Sequence, residues 1–595
     1  MCSDSWATFW RVSTMLAPDS RAILHDLLKP PPGSALAHGV GTTFTVDLAS
    51  ALGVPLSFAS RDLGGSPDPI GVMEAVRSTS DRVDVFYQAG HAAVPAQASD
   101  ILAFLEPVLH PVRAPRPGRL FHPKVWLLKF LDVEGAVAYR LLCLTRNLTS
   151  AHAWDAVVSL DGHEGSRIDA ANQPLSDFVA ALPGLCTTPL AHARRERVLG
   201  LAREVRRAVW ERPEGVKAHA FHALGITPRT PVPDYSGYRR LVVSPFVDDR
   251  GLAIVSPSSR NGAILVARPE HLDRLDRVPD DTEVKVVSVL AELEDDRAAG
   301  ELGGLHAKMV VVERNRLTHL FVGSANATHA AFDGNVEFVV ELVLGAARHS
   351  VDAFLSLDTG LGVLLEDYAP KTAVDDPEQE RRFILQDRLR QLAEKSWTLE
   401  VINSPLLHDL RLRTGTALPA WADGLVIELL SRRGNAVRPA SGLPCDEVFS
   451  SVDLADITPF IVLTLRDGQL TEASVVPASL IGDPEDRLDA VLARQVDTPE
   501  KFLRFLLLLL GLGGEPAPGA DEAGDGSATW AVTASQGLFE LLARALADQP
   551  RTLDDLDRIV SRLLRTDAGR AVLPRGFEAL WGNVQQAREQ LGAAT

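Results

Sequence analysis

The sequence predicts an α/β protein made of two similar halves, followed by a β-rich module and a helical C-terminal region. Short apolar runs rich in β-branched residues alternate with helical segments up to about residue 350, a pattern typical of strands layered against helices. One pattern of polar residues occurs twice, with its histidines 184 positions apart. Beyond about residue 365 the alternation stops, and short strand-like runs precede apolar helical stretches.

Length and composition limit the functions open to this chain. Its 595 residues exceed one ordinary domain and predict about three to four, and an apolar content of 46% is enough for sizeable cores. With 78 acidic and 60 basic residues the formal charge is −18, which excludes a protein that coats nucleic acid by bulk positive charge. A nuclease with this composition would need a local basic channel.

Cysteine usage and the absence of targeting signals predict a soluble, cytoplasmic protein that does not associate with membranes. The N-terminus has no charged region followed by an apolar core, and the most apolar stretch, 502–512, is about half the length of a membrane span. The cysteines are scattered without CxxC spacing, which argues against both a disulfide framework and a zinc site. They are Cys2, Cys143, Cys186 and Cys445.

The two halves are predicted to contain similar strands in the same order. A short helical leader ends at the proline triplet 30–32, because proline cannot continue a helix. Runs at 42–48 and 83–87 predict the first strands, and HPKVWLLKF and AYRLLCLT predict two more. The second half repeats this order with RRLVVSPF, GAILVARP and VKVVSVL, followed by HAKMVVV and HLFVGS.

A helix is predicted between the halves, because apolar residues such as Val198, Leu201 and Val205 recur at helical spacing. Interspersed glutamates favour a solvated face over the alternative, a strip that tracks phosphates at the edge of a cleft. The arginines around the apolar stripe are Arg194, Arg197, Arg203, Arg206 and Arg207.

The C-terminal part carries no chemical motif. After an acidic, proline-containing linker, short β-like runs between about 395 and 477 predict a small module with a hairpin turn at 466–468. Asp483-Pro484 and Thr498-Pro499 each predict a helix start. The stretch 513–527 is too poor in apolar residues to fold and is predicted to be a flexible loop. We expect this part to bind a partner, such as another protein.

The repeated pattern brings together groups that bind and attack phosphodiesters. In its second copy, GLHAKMVVVERN followed by LFVGSAN, His306 and Lys308 stand two positions apart and so share one face of a strand. Ser324 and Asn326 follow on the next apolar run. The cluster therefore combines imidazole, ammonium, hydroxyl and carboxamide groups.

The first copy, FHPKVWLLKF followed by LLCLTRN, differs from the second at two places. Leu144 and Thr145 stand where the second copy has Gly-Ser, so that a hydroxyl is kept, and Lys129 stands at the position of Glu313. Its polar residues are His122, Lys124, Thr145 and Asn147.

The paired patterns resemble the phospholipase D superfamily, whose signature is HxK, an acidic residue shortly after, and GSxN. The resemblance covers residues 35–350 and implies two mixed sheets flanked by helices, packed about a pseudo-two-fold axis that brings both HxK segments to one cleft. With this resemblance the chain divides into an N-terminal leader (1–34), a first half (35–190), a connecting helix (191–236), a second half (237–365), a linker and helix (366–394), a β-rich module (395–480) and a helical region (481–595).

The resemblance also implies roles for individual residues. The N-terminal histidine of such pairs is usually the nucleophile, which nominates His122, with His306 as general acid. Lysines would neutralise the phosphodiester, while carboxamides and hydroxyls would hydrogen-bond its oxygens. No metal or cofactor is required. The implied catalytic residues are His122, Lys124, Asn147, His306, Lys308 and Asn326, and the phosphate-binding or supporting residues are Thr145, Ser324, Glu313, Glu337 and Asp155.

Glu337 and Asp155 are candidates for fixing the tautomer of a catalytic histidine.

The other histidines near these motifs do not belong to an HxK pattern. His91, His152, His319 and His329 are interpreted as ordinary histidines, with His152 and His329 as remote candidates for the site.

Three functions remain open from the sequence. The first is a metal-independent nuclease that cleaves DNA, or less favourably RNA, through a covalent phosphohistidine; cytosolic superfamily members with added C-terminal modules tend to be nucleases, some of them in bacterial antiviral defence. The second is a lipid phosphodiesterase or phosphatidyl transferase. The third is a nucleic-acid-binding subunit of a larger complex, which would apply if the imperfect first copy has lost turnover.

Overall fold

The fold is mixed α/β, which confirms the predicted class, and it contains five sheets in the part of the chain that is described. A computed structural model describes the residues in the ranges 24–58, 76–96, 99–149, 153–227, 231–257, 261–288, 304–358, 360–373, 375–402, 407–509, 542, 550–564, 567–574 and 576–592.

The first half is built on a mixed sheet of seven strands. Its strands in chain order are β1 (Ser34–Thr43), β2 (Val46–Asp47), β3 (Val83–Gln88), β4 (Ala92–Ala93), β5 (Leu109–Val112), β6 (Val125–Asp132), β7 (Val137–Leu144), β8 (Val157–Glu164) and β9 (Ala208–Trp210). The sheet has the order β5-β3-β1-β6-β7-β8-β9, while β2 and β4 pair separately. Strand β1 runs parallel to β3 and antiparallel to β6.

The second half has an eight-stranded sheet with the same arrangement. Its strands are β10 (Val216–Leu224), β11 (Arg239–Val243), β12 (Ala263–Val266), β13 (Thr282–Val287), β14 (Met309–Arg314), β15 (Leu317–Gly323), β16 (Glu337–Gly345) and β17 (Leu365–Asp367). They follow the order β10-β16-β15-β14-β11-β12-β13-β17. Strand β11 runs parallel to β12 and antiparallel to β14, so β11 through β16 correspond to β1, β3, β5, β6, β7 and β8.

Helices cover these sheets. Those of the first half are α1 (Leu24–Leu28), α2 (Leu48–Phe58), α3 (Gln173–Leu185) and α4 (His192–Glu204), and those of the second are α5 (Asp249–Val255), α6 (Pro269–Leu272), α7 (His329–Phe332) and α8 (Val351–Phe354). The segment 191–236, predicted as a connecting helix, is helical only in its first part. Its later residues form the edge strands β9 and β10, because the alternating burial of Ala208 to Trp210 suits a strand.

The two halves share one hydrophobic core. A single cluster contains buried side chains from β6 to β8 and from β14 to β16, together with α3 and α4. Phe178 of α3 packs on Phe338 of β16 with ring centroids 4.9 Å apart, and Cys143 Sγ lies 3.6 Å from the carbonyl oxygen of Val322. The sheets therefore meet along β7, β8, β15 and β16, next to the strand ends that carry the repeated motif.

The C-terminal part folds onto the first half. After α9 (Pro377–Ala393) come two four-stranded sheets, formed by β18 (Trp397–Ile402), β19 (His408–Thr414), β20 (Val426–Leu429), β21 (Arg432–Val437), β22 (Asp446–Val452), β23 (Phe460–Asp467), β24 (Leu470–Pro477) and β25 (Ser479–Ile481). The helices that follow are α10 (Arg487–Gln495), α11 (Pro499–Leu509), α12 (Pro550–Leu563), α13 (Asp567–Val572) and α14 (Phe577–Gly592).

Several contacts hold this C-terminal part in place. Arg487 of α10 forms a buried ion pair with Glu106 of the first half, with Nη2 and Oε2 2.7 Å apart. One core cluster joins side chains of the first half with side chains of α10 to α14. The predicted turn at 466–468 connects β23 to β24, with Gly468 at a φ of 61°. The predicted flexible loop 513–527 lies outside the described residues.

No helix in the described ranges is long and apolar enough to cross a membrane.

Candidate active site

Each HxK segment is held by the opposite half of the molecule. Phe121, which precedes His122, forms a parallel bridge with Val336, just before β16. Leu305, which precedes His306, forms the equivalent bridge with Trp154, before β8. The amide nitrogen of His122 donates to the carbonyl oxygen of Val336 at 2.9 Å, and that of His306 donates to Trp154 at 2.8 Å. This exchange brings both motifs to the interface between the halves.

The two lysines occupy equivalent buried positions. Lys124 Nζ donates to the carbonyl oxygen of His122 and Lys308 Nζ donates to that of His306, each at 2.8 Å. Lys308 also donates across the interface to the carbonyl oxygen of Thr145 at 3.4 Å. Burial lowers the pKa of Lys124 to about 7, although the negative charge of Glu337 acts to raise it. Burial and the charge of Lys124 together lower the pKa of Lys308 well below its usual value.

The hydroxyls of the motif brace the strands that carry the acidic residues. Thr145 Oγ1 accepts a hydrogen bond from the Ala156 amide at 2.8 Å, and Ser324 Oγ accepts the equivalent bond from Phe338 at 3.0 Å. Both side chains are fully buried. The resemblance implied that they bind phosphate, but Thr145 is bonded to the backbone of Ala156, and Ser324 is bonded to the backbone of β16 and to the carboxylate of Glu337. Thr145 nevertheless makes the same contact as Ser324, so the first copy keeps the geometry of the second.

The loops that carry Asn147 and Asn326 are fixed in the same way in both halves. The amide of Leu148 donates to Thr43 Oγ1 at 3.0 Å, and the amide of Ala327 donates to Ser244 Oγ at 2.9 Å. Oδ1 of each asparagine is buried without a hydrogen-bond partner in the described part of the chain. Buried polar groups are rarely left unpaired, so these carboxamides suit contact with a ligand.

His122 is oriented by a carboxylate from the other half. Its Nδ1 lies 3.0 Å from Oε2 of Glu337, and Ser324 Oγ donates to the same oxygen. Burial alone would raise the pKa of Glu337, but the charge and hydrogen bond of His122, the charge of Lys124 and the Ser324 bond outweigh it and lower the pKa. An ionised carboxylate only accepts hydrogen bonds, so Nδ1 of His122 carries the hydrogen and Nε2 is left with a free lone pair.

His306 has a different environment. Its Nδ1 lies 3.4 Å from Nζ of Lys308, a group that donates hydrogen bonds, so the ring hydrogen belongs on Nε2. Burial and the charges of Lys308, Lys124 and His122 hold the pKa of His306 well below its usual value. The two imidazoles therefore differ: His122 presents a lone pair and His306 presents an N–H.

Asp155 is the pseudo-symmetric counterpart of Glu337, since each directly follows a bridge residue. It was a candidate for fixing a histidine tautomer, but its carboxylate lies 3.5 Å from Nε of Arg146. No hydrogen bond joins Asp155 to His306 within the described residues. Burial raises the pKa of Asp155. The structure therefore gives an orienting carboxylate to one histidine of the pair.

Glu313 also departs from its predicted supporting role. It lies five residues beyond Lys308 along β14, about 16 Å at the rise of a strand. Its Oε1 accepts a hydrogen bond from the amide of Val351 at 2.6 Å, at the start of α8. Glu313 therefore stabilises a helix start rather than the site.

The sequence reasoning missed several groups beside the site. Phe44 packs between His91 and His122, with ring centroids 4.1 and 5.1 Å apart. Burial, with the charges of Arg390 and His122, lowers the pKa of His91 to about 3. His91 was interpreted as an ordinary histidine because nothing in its local sequence marks it. Arg268 is the other missed group, since its Nε lies 3.0 Å from the carbonyl oxygen of Leu305, next to His306.

The remaining candidates lie elsewhere. Nδ1 of His319 forms a hydrogen bond with Oε1 of Glu341 at 2.6 Å. The backbone amide of His329, at the start of α7, donates to the carboxylate of Asp248. His152 falls outside the described residues. Arg194, one of the arginines weighed as a phosphate strip, is buried and bonded to Asp84 at 2.9 Å. Among the described residues, no group of three or more His, Cys, Asp or Glu side chains is suited to hold a metal ion.

Comparisons with known proteins are weak. Neither a protein-family model nor a curated protein matches the chain. Among solved structures, yeast tyrosyl-DNA phosphodiesterase is similar over 55% of this chain and 86% of that chain, with 11% identity and a TM-score of 0.33. Polyphosphate kinase from Porphyromonas gingivalis is similar over 62% of this chain, with 12% identity and a TM-score of 0.28. The chain spans 44% of the length of that kinase. Likenesses at this level carry no weight for activity.

Proposed function

We propose that this chain is a phosphodiesterase of the phospholipase D superfamily, which cleaves DNA without a metal through a covalent phosphohistidine. The observation that carries the proposal is the inequivalence of two imidazoles at one interface. His122 is bonded through Nδ1 to Glu337 and offers a lone pair, while His306 is bonded through Nδ1 to Lys308 and offers an N–H. A nucleophile and a proton donor need these two opposite states.

In the first step, Nε2 of His122 attacks phosphorus and the bond to the leaving oxygen breaks. In the substrate complex His306 is the cationic imidazolium: it gives its Nε2 proton to this oxygen and is left as the neutral imidazole. Glu337 stabilises the positive charge that develops on His122. Lys124 and Lys308 offset the charge of the phosphoryl oxygens, which otherwise repels a nucleophile. The negative substrate also raises the low pKa of His306, because it opposes the cations that depress it.

In the second step, His306 has lost its proton and serves as the base. It takes a proton from water, the water oxygen attacks phosphorus, and the P–N bond to His122 breaks. The products are a phosphomonoester and the free enzyme, with His306 protonated again for the next turnover. Electrostatic stabilisation in this scheme comes from side chains that are already in place.

Two observations support turnover over the alternative of a non-catalytic nucleic-acid-binding subunit. Thr145, the altered position of the first copy, makes the same backbone contact as Ser324. His122, which belongs to that copy, is the histidine with the orienting carboxylate. The C-terminal region, folded onto the first half, is proposed as the part that binds a partner protein.

The test is cleavage of DNA by the purified full-length chain in excess EDTA. Activity is expected in the native protein and in His163→Ala, a control at an exposed histidine of β8. His122→Ala and His306→Ala should each abolish cleavage while keeping the native circular dichroism spectrum. Cleavage that requires magnesium would refute the mechanism. Release of headgroups from phosphatidylcholine vesicles without any attack on DNA would replace it with the lipid phosphodiesterase.

A further inference from the structure

The turn from Gln88 to His91, between β3 and β4, contacts the first HxK segment in two ways. Gln88 Oε1 accepts a hydrogen bond from the amide of Phe121 at 2.7 Å, and Phe121 directly precedes His122. The ring of His91 packs on Phe44 with centroids 4.1 Å apart, and Phe44 packs edge-on against the imidazole of His122 at 5.1 Å. The turn therefore supports both the backbone before His122 and one side of its ring.

The same turn is enclosed by the C-terminal part of the chain. Ala89 is fully buried in the hydrophobic core of that part, in one cluster with side chains of α9. Gly90 has a φ of 81°, and a Cβ atom added to it would lie 2.6 Å from Cα of Arg390 in α9. Just beyond the turn, the amide of Ala92 donates to Ser474 Oγ of β24 at 3.3 Å. Turn and helix backbones thus meet at a point that only glycine allows.

The second half shows that this enclosure is not a requirement of the fold. The turn after β12 corresponds to the turn after β3, because each is closed by a hydrogen bond from the amide of its fourth residue to the carbonyl oxygen of its first, at 3.0 and 3.1 Å. In the turn after β12 the two central residues, Pro269 and Glu270, are exposed. The C-terminal part therefore covers this turn on the side of the site that carries His122.

We propose that Gly90 is a positioning residue for His122, through which the C-terminal part of the chain fixes the orientation of this imidazole. The inference rests on the proposed function, in which Nε2 of His122 attacks phosphorus. Attack in line with the leaving oxygen needs a fixed direction of the lone pair, so a small displacement of the turn would slow the first step. The groups that bind the phosphate would stay in place, and affinity for an anion would be kept.

Gly90→Ala tests this coupling, because the added Cβ must displace the turn from α9. The first step is measured as single-turnover release of p-nitrophenolate from p-nitrophenyl thymidine phosphate, with the full-length protein in excess. We expect its rate to fall by about tenfold or more, since a displacement of about 1 Å can cost about a hundredfold. The affinity for inorganic sulfate, measured by calorimetry, should stay close to that of the native protein.

Gly424→Ala is the matched control for backbone strain. Gly424 has a φ of 79°, and a Cβ added there meets no other atom within 4 Å among the described residues. Both variants therefore strain a residue in the left-handed region, but only Gly90→Ala displaces a neighbour. The control should release p-nitrophenolate at the native rate.

His91 provides a second test that adds no clash and applies even if Gly90→Ala does not fold. With its pKa lowered to about 3, His91 is neutral near pH 7 and acts on Phe44 by packing. His91→Ala should slow the first step, and His91→Phe, which keeps a ring in the contact, should restore most of the rate.

Three results would overturn the proposal. They are equal rates in Gly90→Ala and Gly424→Ala, equal rates in His91→Ala and His91→Phe, and a loss of sulfate affinity in Gly90→Ala as large as its loss of rate. The last would mean that the site is destroyed rather than misaligned.

A readout without turnover separates this proposal from the proposed function. The ring ¹H–¹³Cε1 NMR signal of His122, assigned by its loss in His122→Ala, should shift in Gly90→Ala and stay in place in Gly424→Ala. A signal that does not shift would refute the coupling. If the native protein releases no p-nitrophenolate although the signal shifts, the coupling to His122 stands and the proposed function fails.

Discussion

Nδ1 of His122 lies 3.0 Å from Oε2 of Glu337, although the two residues belong to different halves of the molecule. The same oxygen accepts a hydrogen bond from Ser324. The proposed nucleophile therefore takes its orienting group from the half that supplies the proposed general acid. Because the His122–Glu337 contact joins the two halves, the proposed activity would require the core that they share.

Substitution of Glu337 tests this relationship. In Glu337→Gln the amide can donate to Nδ1 of His122, which would move the ring hydrogen to Nε2 and remove the attacking lone pair. We expect kcat/KM to fall by about a thousandfold or more, as when the acid of a catalytic triad is replaced by its amide. Steady-state kinetics on a DNA substrate measures the loss.

Asp155→Asn provides the matched control, because Asp155 holds the pseudo-symmetric position and contacts Arg146. Its effect should be far smaller than that of Glu337→Gln. Equal losses in the two variants would mean that both carboxylates orient histidines, and the asymmetry inferred from the contacts would be wrong.

The nucleophile can be identified by bypassing the general acid. With p-nitrophenyl thymidine phosphate the leaving phenolate needs no proton, so His306→Ala should still complete the first step. The second step needs a base, and a protein that carries thymidine phosphate on His122 should accumulate. Intact-mass spectrometry should detect an acid-labile adduct on His306→Ala and none on His122→Ala. An adduct on His122→Ala alone would exchange the two roles.

The fold class and the meeting of the two motifs were accessible from sequence because both depend on local patterns. Two-residue spacing predicted that His306 and Lys308 lie side by side on a strand, whereas both residues precede β14, which begins at Met309. Repetition of the strand order implied two similar sheets. The edge strands β9 and β10 were missed because the preceding helical stripe was extended too far. Short edge strands have little periodicity to distinguish them from a loop.

The partners of the site residues were less accessible, because they are set by tertiary contacts. Glu337 and Asp155 each directly follow a residue that bridges to the opposite half, yet one contacts His122 and the other contacts Arg146. Arg268 lies 38 positions before His306 in a stretch without a motif. Only the pairing of β11 with β12 places it beside the site.

The low pKa of Lys124 predicts how anion affinity depends on pH. Burial lowers this pKa to about 7, so the ammonium is present below about pH 7 and is lost as pH rises. Bound sulfate favours the charged form, and sulfate keeps its own charge over this range. Its affinity should therefore be greatest below pH 7 and fall by about tenfold for each pH unit above it, for one linked proton. Calorimetric titration from pH 6 to 9 measures this slope.

Lys124→Arg is the control for this dependence, because a guanidinium stays charged at these pH values. The part of the pH dependence that comes from Lys124 should be absent in that variant, so its sulfate affinity should fall less above pH 7 than that of the native protein. An affinity in the native protein that does not change between pH 6 and 9 would contradict the assignment of Lys124 as an anion-binding group.

The docking of the C-terminal region predicts a stability effect. Arg487 and Glu106 form an ion pair in which both side chains are less than a tenth exposed, at 5% and 7%. In Arg487→Ala the buried carboxylate loses its partner, which should reduce the free energy of unfolding by about 3–5 kcal/mol. Hydrogen exchange at the amides of α10 and the denaturation midpoint measure the change.

Two further variants test whether the loss of stability in Arg487→Ala comes from leaving Glu106 buried without its partner. Arg381→Ala removes an ion pair with Asp467 in which both side chains are almost half exposed, and the denaturation midpoint should change much less, since solvent screens such pairs. In the double variant Glu106→Leu with Arg487→Met neither partner is left buried and unpaired, so most of the lost stability should return. If Arg487→Ala is no worse than Arg381→Ala, the buried pair does not anchor the C-terminal region, and the apolar contacts of α10 to α14 with the first half hold it alone.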